Sequence, residues 1–531
     1  MNAKTPLASN WERLIPWGFG VFAVWLAIQH RETLNTDGVA YLRLASYWSE
    51  GKWGLAISGY WGPLLPWIMA LFLRIGVESL LAAHLAMAVS AALFAWNAHQ
   101  LFLRLKIPTI VRMGANFATG MAAAVWSSAQ ISPDLLVGSW ILAALGAMME
   151  QERSATTKGL LRVAFYWSMA YHAKAIALPL ALATTLAAWL AQRLQQRGDG
   201  TSTRSWAKLA GLIFLFSAPW ILVLSLKYGT PTFSTTGKIA HAIVGPSDQE
   251  RYHPFGRTLH QPEPGRLTAW EDPSRMAYRY WSPFESRAYF DHQLGLLYEN
   301  SLTILGLLWT LDGVGFGLAA LIASLAWWRS KEPLRLAASP VLYLVAPVMF
   351  AAAAHGFTYV QTVDLRYFFF AQPLLLALCL VGIERWNWIQ SRRPLGRALV
   401  IASFLAVPGS ELSRVISPAP ATATQVGKAM ADRLKQANVV QPIAGSAFYQ
   451  GQRIGLYVAY FLGTTWIGDS PTDPAPLVGS ASSTTVIIHR NSPFSAALTA
   501  SGLWRSLDEQ LFTSPTEAQG FPLEAFVRSR P

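Results

Sequence analysis

Asp37, Asp134, Lys174 and Arg366 are the residues of this 531-residue chain best suited, by type and place, to do chemistry. Each stands where an apolar run gives way to polar sequence. Asp37 lies in Asn35-Thr36-Asp37-Gly38, Asp134 in Ser132-Pro133-Asp134, Lys174 in Tyr171-His172-Ala173-Lys174, and Arg366 in Asp364-Leu365-Arg366-Tyr367. Ionisable groups at membrane depth are costly unless paired or wet, so they mark functional sites by default. A carboxylate there can take a proton from a hydroxyl, while an ammonium and a guanidinium can neutralise a phosphate. Each residue also has a structural use. Asn35, Thr36 or Asp37 can cap the helix expected from Gly38, and Ser-Pro-Asp makes a good helix start. Lys174 can snorkel to headgroups, and Arg366 can anchor a span or pair with Asp364. Coincidence of all four at one membrane face is the weaker explanation.

The elements that must position these residues follow from composition. The chain is 53% hydrophobic and 13% charged with a mean hydropathy of +0.30, the profile of a polytopic membrane protein. Its net charge of +13 and pI near 9.8 do not indicate nucleic acid, because the basic residues fall in short loops between apolar runs, as the positive-inside rule requires. The single cysteine, Cys379, excludes a disulfide framework within the chain.

The first span is expected over residues 14–30, uncleaved and with its N-terminus inside, which puts the loop carrying Asp37 outside. That loop is too polar to cross, and its spacing predicts one or two short surface helices, with Trp53, Tyr60, Trp61 and Trp67 as interfacial aromatics. The run Pro63 to Ile75 is too short for a span and is expected to be interfacial or re-entrant. Further spans are expected over 79–103, 113–129, 135–149, 160–172, 175–191, 209–226, 303–327, 338–355, 367–383 and 398–409. The alternation amounts to about eleven crossings. The polar stretch 227–298 is too long for a connector and reads as a lid or acceptor-binding surface, with a turn at Trp270-Glu271-Asp272-Pro273.

From about residue 410 no run is long and apolar enough to span, so the expected division is a transmembrane domain, 1–409, and a small extracytoplasmic α/β domain, 410–531. Within the latter, residues 421–437 and 503–512 read as helices, and 439–444 and 484–489 as strands. The sequence contains no phosphate-binding glycine loop, zinc-ligand spacing or serine-nucleophile elbow.

Taken together, the sequence resembles the GT-C superfamily of polytopic glycosyltransferases, in particular the branch of protein mannosyltransferases and lipid A aminoarabinose transferases. The resemblance rests on Asp37 followed by Tyr41 and by Tyr60-Trp61-Gly62-Pro63-Leu64-Leu65-Pro66, on Ser132-Pro133-Asp134, on Lys174, and on Arg366-Tyr367 at the head of a late span. It implies transfer of a hexosyl or pentosyl group from a polyprenyl-phosphate donor to a lipid, glycan or protein acceptor, at the outer face of a cell's inner membrane. Displacing a lipid phosphate needs a base near the acceptor hydroxyl and positive charge on the phosphate. Asp37 would be that base, Asp134 would orient the acceptor or bind a cation, and Lys174 and Arg366 would hold the donor phosphate. Tyr41, Tyr60, Trp61, His172 and Tyr367 would contact substrate. Many relatives carry Asp-Glu in the first loop where this chain has Asp37-Gly38, so a divalent cation is left open. A lipid or glycan flippase, or an inactive membrane scaffold, is the alternative. A transporter predicts inverted repeats and charges at span centres, whereas these acids lie at span ends.

Overall fold

A computed structural model describes residues 8–153, 156–195, 200–247, 252–329, 340–358, 364–385, 393–417, 422–481 and 483–529. After α1 (Ala8–Gln29) the first polar loop folds as α2 (Thr36–Ser49), α3 (Trp53–Ala56) and α4 (Leu64–Arg74), three short helices where surface helices were expected. The long helices then follow: α5 (Ser79–Arg104), α6 (Thr109–Ala129), α7 (Asp134–Arg153), α8 (Thr157–Ala173), α9 (Ala177–Gln195) and α10 (Gly200–Tyr228). Their starts follow local chemistry. The Glu78 carboxylate accepts from the N–H groups of Leu80 and Leu81 to open α5, and the Thr156 hydroxyl accepts from Gly159 to open α8.

The described residues of 229–286 hold one short helix, α11 (Thr236–Ala242), and three 3-10 turns, two of them over Ala269–Glu271 and Pro273–Arg275 where a turn was expected. The expected span 303–327 is part of a longer helix, α12 (Arg287–Arg329), broken at Asp312 (φ −169°, ψ 91°). The cause is the side chain, which leaves the helical ladder to accept from the Gly315 N–H at 3.1 Å and the Ser403 hydroxyl at 2.9 Å. Then come α13 (Pro340–Thr358), α14 (Ala371–Arg385) and α15 (Arg393–Ile416), the last running past residue 409 where the helical part was expected to end. Among the described residues four helices are long and apolar enough to cross a membrane: Ser79–Arg104, Thr203–Tyr228, Arg287–Asp312 and Arg393–Ile416.

The C-terminal unit opens with α16 (Ala423–Gln436), whose Thr422 and Gln425 side chains each accept from the other's backbone N–H. Strands β1 (Ile443–Gly445), β2 (Phe448–Tyr449) and β3 (Gln452–Arg453) follow, then α17 (Ile454–Leu462), β4 (Trp466–Asp469), β5 (Thr485–His489), β6 (Trp504–Ser506) and β7 (Leu523–Arg528). The five-stranded sheet has order β4-β1-β5-β7-β6, with β1 parallel to β4 and β5, and β7 antiparallel to β5 and β6. The expected strand 439–444 is shorter because Pro442 has no N–H to give the ladder. The expected helix 503–512 is corrected: Trp504 buries its ring and donates to the Val478 carbonyl, and its strand pairs with β7 before a short helix at Asp508–Leu511. Tertiary pairing overrides the helical spacing there.

The two parts share one hydrophobic core, which joins Leu26, Val39 and Leu42 to Met430, Tyr457 and Trp466. The Thr424 hydroxyl both donates to the Leu34 carbonyl and accepts from its N–H at 2.9 Å. Residues of the long loop add to the sheet edge, where Trp466 N–H donates to the Leu267 carbonyl at 2.8 Å and His260 N–H to the Ile467 carbonyl at 2.5 Å.

Candidate active site

A cavity of about 660 Å³ opens where α2, the α6–α7 and α8–α9 junctions, the long loop and the turn at Leu365–Phe368 meet. Its lining includes Asp37, Tyr41, Tyr60, Trp61, Asp134, Lys174, Arg366 and Tyr367, so eight of the nine residues expected from sequence come together. His172 is not in that lining. It is buried beside Trp67, with ring centroids 5.8 Å apart, and its Nδ1 lies 2.7 Å from the Ser168 carbonyl.

The four charged residues form one chain of ion pairs. Arg366 Nη1 donates to Asp37 Oδ2 at 2.9 Å, and Lys174 Nζ donates to Asp134 Oδ1 at 2.6 Å. Arg366 Nε lies 3.7 Å from Asp134 Oδ2 and 3.3 Å from Asp364 Oδ2, so the guanidinium joins the two halves. Asp134 Oδ2 and Arg366 Nε are both buried and lie 3.7 Å apart, so they meet as an ion pair and not as a direct hydrogen bond. Asp37 does not cap its helix: its Oδ2 accepts from Arg366, and Oδ1 has no partner among the described residues. Burial favours the neutral Tyr41 phenol, and Asp37 and Asp134 add to this, holding its pKa well above the ordinary value.

The scaffold fixes these groups from several sides. The Asn35 side chain bonds both the N–H and the carbonyl of Ile131, at 3.0 and 3.2 Å, tying the two acidic loops together. Gly62 packs flat on the end of α8: a Cβ there would lie 2.3 Å from the Ala173 carbonyl oxygen, beside Lys174. Lys174 also sits over the Tyr367 ring at 3.8 Å, and His355 stacks on the same ring.

One wall is aromatic. Tyr60, Trp61, His253, Phe255 and Trp270 pack with centroids 4.6 to 6.1 Å apart, edge-on or tilted except for His253 stacked on Phe255, and Trp61 Nε1 donates to the Trp270 carbonyl. Burial lowers the His253 pKa to about 3, with Arg453 adding to the effect, so the ring is neutral. Behind this wall Glu271 is fully buried, accepting from the Tyr47 hydroxyl and from the N–H groups of Leu267 and Thr268, with Arg43 and Arg266 beside it. Burial raises its pKa against the pull of those arginines. Lys227 and the Tyr228 hydroxyl bond Asp272 in the same way, so this acidic turn holds the loop down and does not face the cavity.

Sequence reasoning missed Lys238 and Arg453, both in the lining. Lys238 lies over the Tyr280 ring at 4.0 Å. Arg453 comes from the C-terminal hairpin, just before the apolar helix Ile454–Leu462, and the one available signal is that position at the edge of an apolar run. Among the described residues no group of three or more His, Cys, Asp or Glu side chains is placed to hold a metal ion. With Asp37 and Asp134 each facing a cation, the donor set does not suit one.

Fold and cavity together define a polytopic helical membrane architecture with an ionic site under a C-terminal sheet unit. Its fold is that of the crystal structure of ArnT from Cupriavidus metallidurans bound to undecaprenyl phosphate, with a TM-score of 0.56 and 12% identity over 98% of each chain. The GT-C resemblance read from sequence therefore holds for the fold. The apo structure of that ArnT gives a TM-score of 0.43 at 13% identity over 98% of each chain. The cryo-EM structure of the arabinofuranosyltransferase AftD from mycobacteria gives 0.39 at 14% identity, over 99% of this chain and 40% of that one. No family model matches the sequence, and neither does any curated protein.

Proposed function

We propose that this chain is a membrane glycosyltransferase that moves a sugar from a polyprenyl-phosphate donor to a lipid, glycan or protein acceptor at the outer face of the inner membrane. The observation that carries this is the convergence of Asp37, Asp134, Lys174 and Arg366 on one cavity beside an aromatic wall. The ArnT structure that shares the fold is bound to undecaprenyl phosphate, which supports a donor of that kind.

Asp37 acts as the base. Its Oδ2 is held by Arg366, and Oδ1 is left to accept the proton of an acceptor hydroxyl. The acceptor oxygen forms a bond to the sugar's anomeric carbon as the bond from that carbon to the phosphate oxygen breaks, and the electron pair leaves with the polyprenyl phosphate. Lys174 and Arg366 stabilise the leaving phosphate, while Asp134 orients them from beneath. Tyr41, Tyr60, Trp61 and Tyr367 form walls for the sugar and the first isoprene units. The helical part to Ile416 makes the catalytic membrane part and the unit from Ala423 an extracytoplasmic cover.

The test is to incubate purified protein in lipid with radiolabelled polyprenyl-phosphate sugars. Transfer or slow hydrolysis, lost on changing Asp37, upholds the reading; no release of sugar from any such donor overturns it.

A further inference from the structure

Three carboxylates, Asp37, Asp134 and Asp364, surround Lys174 and Arg366, so part of the positive charge these two offer a phosphate is already matched and a phosphate dianion held there can take a further cation. A different cation enters the cavity from the C-terminal unit. Arg453, on β3, lines the cavity and keeps 20% of its side-chain surface exposed. Its Nη1 donates to Asp469 Oδ2 at 2.8 Å, and Asp469 is wholly buried on β4, behind the guanidinium. The rings of Phe448 and Phe255 lie under it at 5.1 and 5.7 Å. Gly256 permits this approach, since a Cβ there would lie 2.6 Å from Arg453 Nη2. The group is thus fixed in orientation, and its other N–H groups have no partner among the described residues. A guanidinium held from behind with free donors suits paired hydrogen bonds to a phosphate or carboxylate.

The same hairpin holds the loop of the proposed base. Gln452 Oε1 accepts from the Thr36 hydroxyl at 2.9 Å and from the Tyr457 hydroxyl at 3.0 Å, so Arg453 follows directly on the residue bonded to the neighbour of Asp37. We propose that Arg453 is an anion-binding residue of this cavity, taking a phosphate or carboxylate oxygen of a substrate. The C-terminal unit thereby reads the substrate as well as covering it. This rests on the transferase reading for the identity of the substrate, but not for the existence of the anion site.

The test compares the unaltered full chain in phosphatidylcholine nanodiscs with Arg453→Lys and with Arg453→Ala combined with Asp469→Asn. The double change is needed because Arg453→Ala alone leaves a buried unpaired carboxylate and threatens the fold. The probes are undecaprenyl phosphate, by its dissociation constant, and inorganic pyrophosphate, by the rise in melting temperature. If the double variant binds undecaprenyl phosphate roughly tenfold to hundredfold more weakly, with Arg453→Lys in between, the anion is the donor's phosphate. If undecaprenyl phosphate binds equally but pyrophosphate no longer stabilises the double variant, Arg453 serves an anionic acceptor. Equal response of all three proteins to both probes overturns the proposal. Should the unaltered protein bind no undecaprenyl phosphate, the donor assignment fails. The pyrophosphate arm then decides alone: stabilisation lost in the double variant upholds an anion site, and stabilisation absent or unchanged overturns it.

Discussion

Arg366 reaches across 329 residues of sequence to hold Asp37, Nη1 to Oδ2 at 2.9 Å. The contact occupies one carboxylate oxygen of this cavity-lining residue and leaves the other without a partner among the described residues. It also separates the roles open to Asp37, because a helix cap and a proton acceptor respond differently to loss of charge.

Asp37→Asn should therefore fold and bind donor, since the amide oxygen can still accept from Arg366. It should transfer sugar roughly a hundredfold to ten-thousandfold more slowly, the usual loss on removing a general base. Single-turnover rates with a labelled donor, alongside donor binding, would check this. Transfer at the unaltered rate by stable Asp37→Asn protein would leave Asp37 a structural residue.

Arg366→Ala should do the reverse. Donor binding should weaken by roughly tenfold or more through loss of a charge-assisted contact. Three carboxylates also lose their shared cation, so stability should fall by about 3 kcal/mol, as for a broken buried pair. Asp364 keeps 43% of its side-chain surface exposed, and Asp364→Ala should cost less than about 1 kcal/mol. Thermal melts of the two variants would rank them, and equal losses would refute the shared-cation account.

About eleven crossings would put the N-terminus inside and the sheet unit outside. Reporter fusions at Gly198, which lies outside the described residues, and at Gly479 should accordingly give opposite signals. Matching cytoplasmic signals would remove the outer-face site.

Asp469 gives a pH signature. Burial pushes its carboxyl up to about 6, with Arg453 pulling the other way. An unfolded Asp titrates near ~3.9, so between pH ~4 and ~6 the folded state holds a proton that the unfolded chain has lost. Stability contributed by this group is then greatest below that window and falls as pH rises through it. Melting temperatures of Asp469→Asn should depend less steeply on pH between 4 and 6 than those of the unaltered chain. Parallel curves would exclude Asp469 as a source of the slope.

The helical layout was legible because apolar runs and basic loops are local signals: the helices α5 to α9 begin and end near the expected positions, while α10 takes in charged residues before 209 that were expected to lie in a loop. Asp37, Asp134, Lys174 and Arg366 were legible for a related reason: charge at the end of an apolar run has few structural uses. His172 shared that placement, yet its ring turns to Trp67 and the Ser168 carbonyl, a choice made by packing. Arg453 also stands at the edge of an apolar run, Ile454–Leu462, but that run is too short to span and lies far from the other four in sequence, so its place is acquired only when β3 meets the loop at Phe255. The strand at Trp504–Ser506 was hidden for a similar reason, its partner lying in β7.

The contact between Thr36 and Gln452 spans 416 residues, and that between Leu34 and Thr424 spans 390. On the ribosome the carboxylate at residue 37 is made early and the hairpin that closes over it very late. A nascent chain that has not reached residue 453 can insert its helices but lacks both the Gln452 contact and the Arg453 wall. Translation thus carries its own order of assembly, in which an interrupted product holds the Asp37 carboxylate without a finished pocket around it.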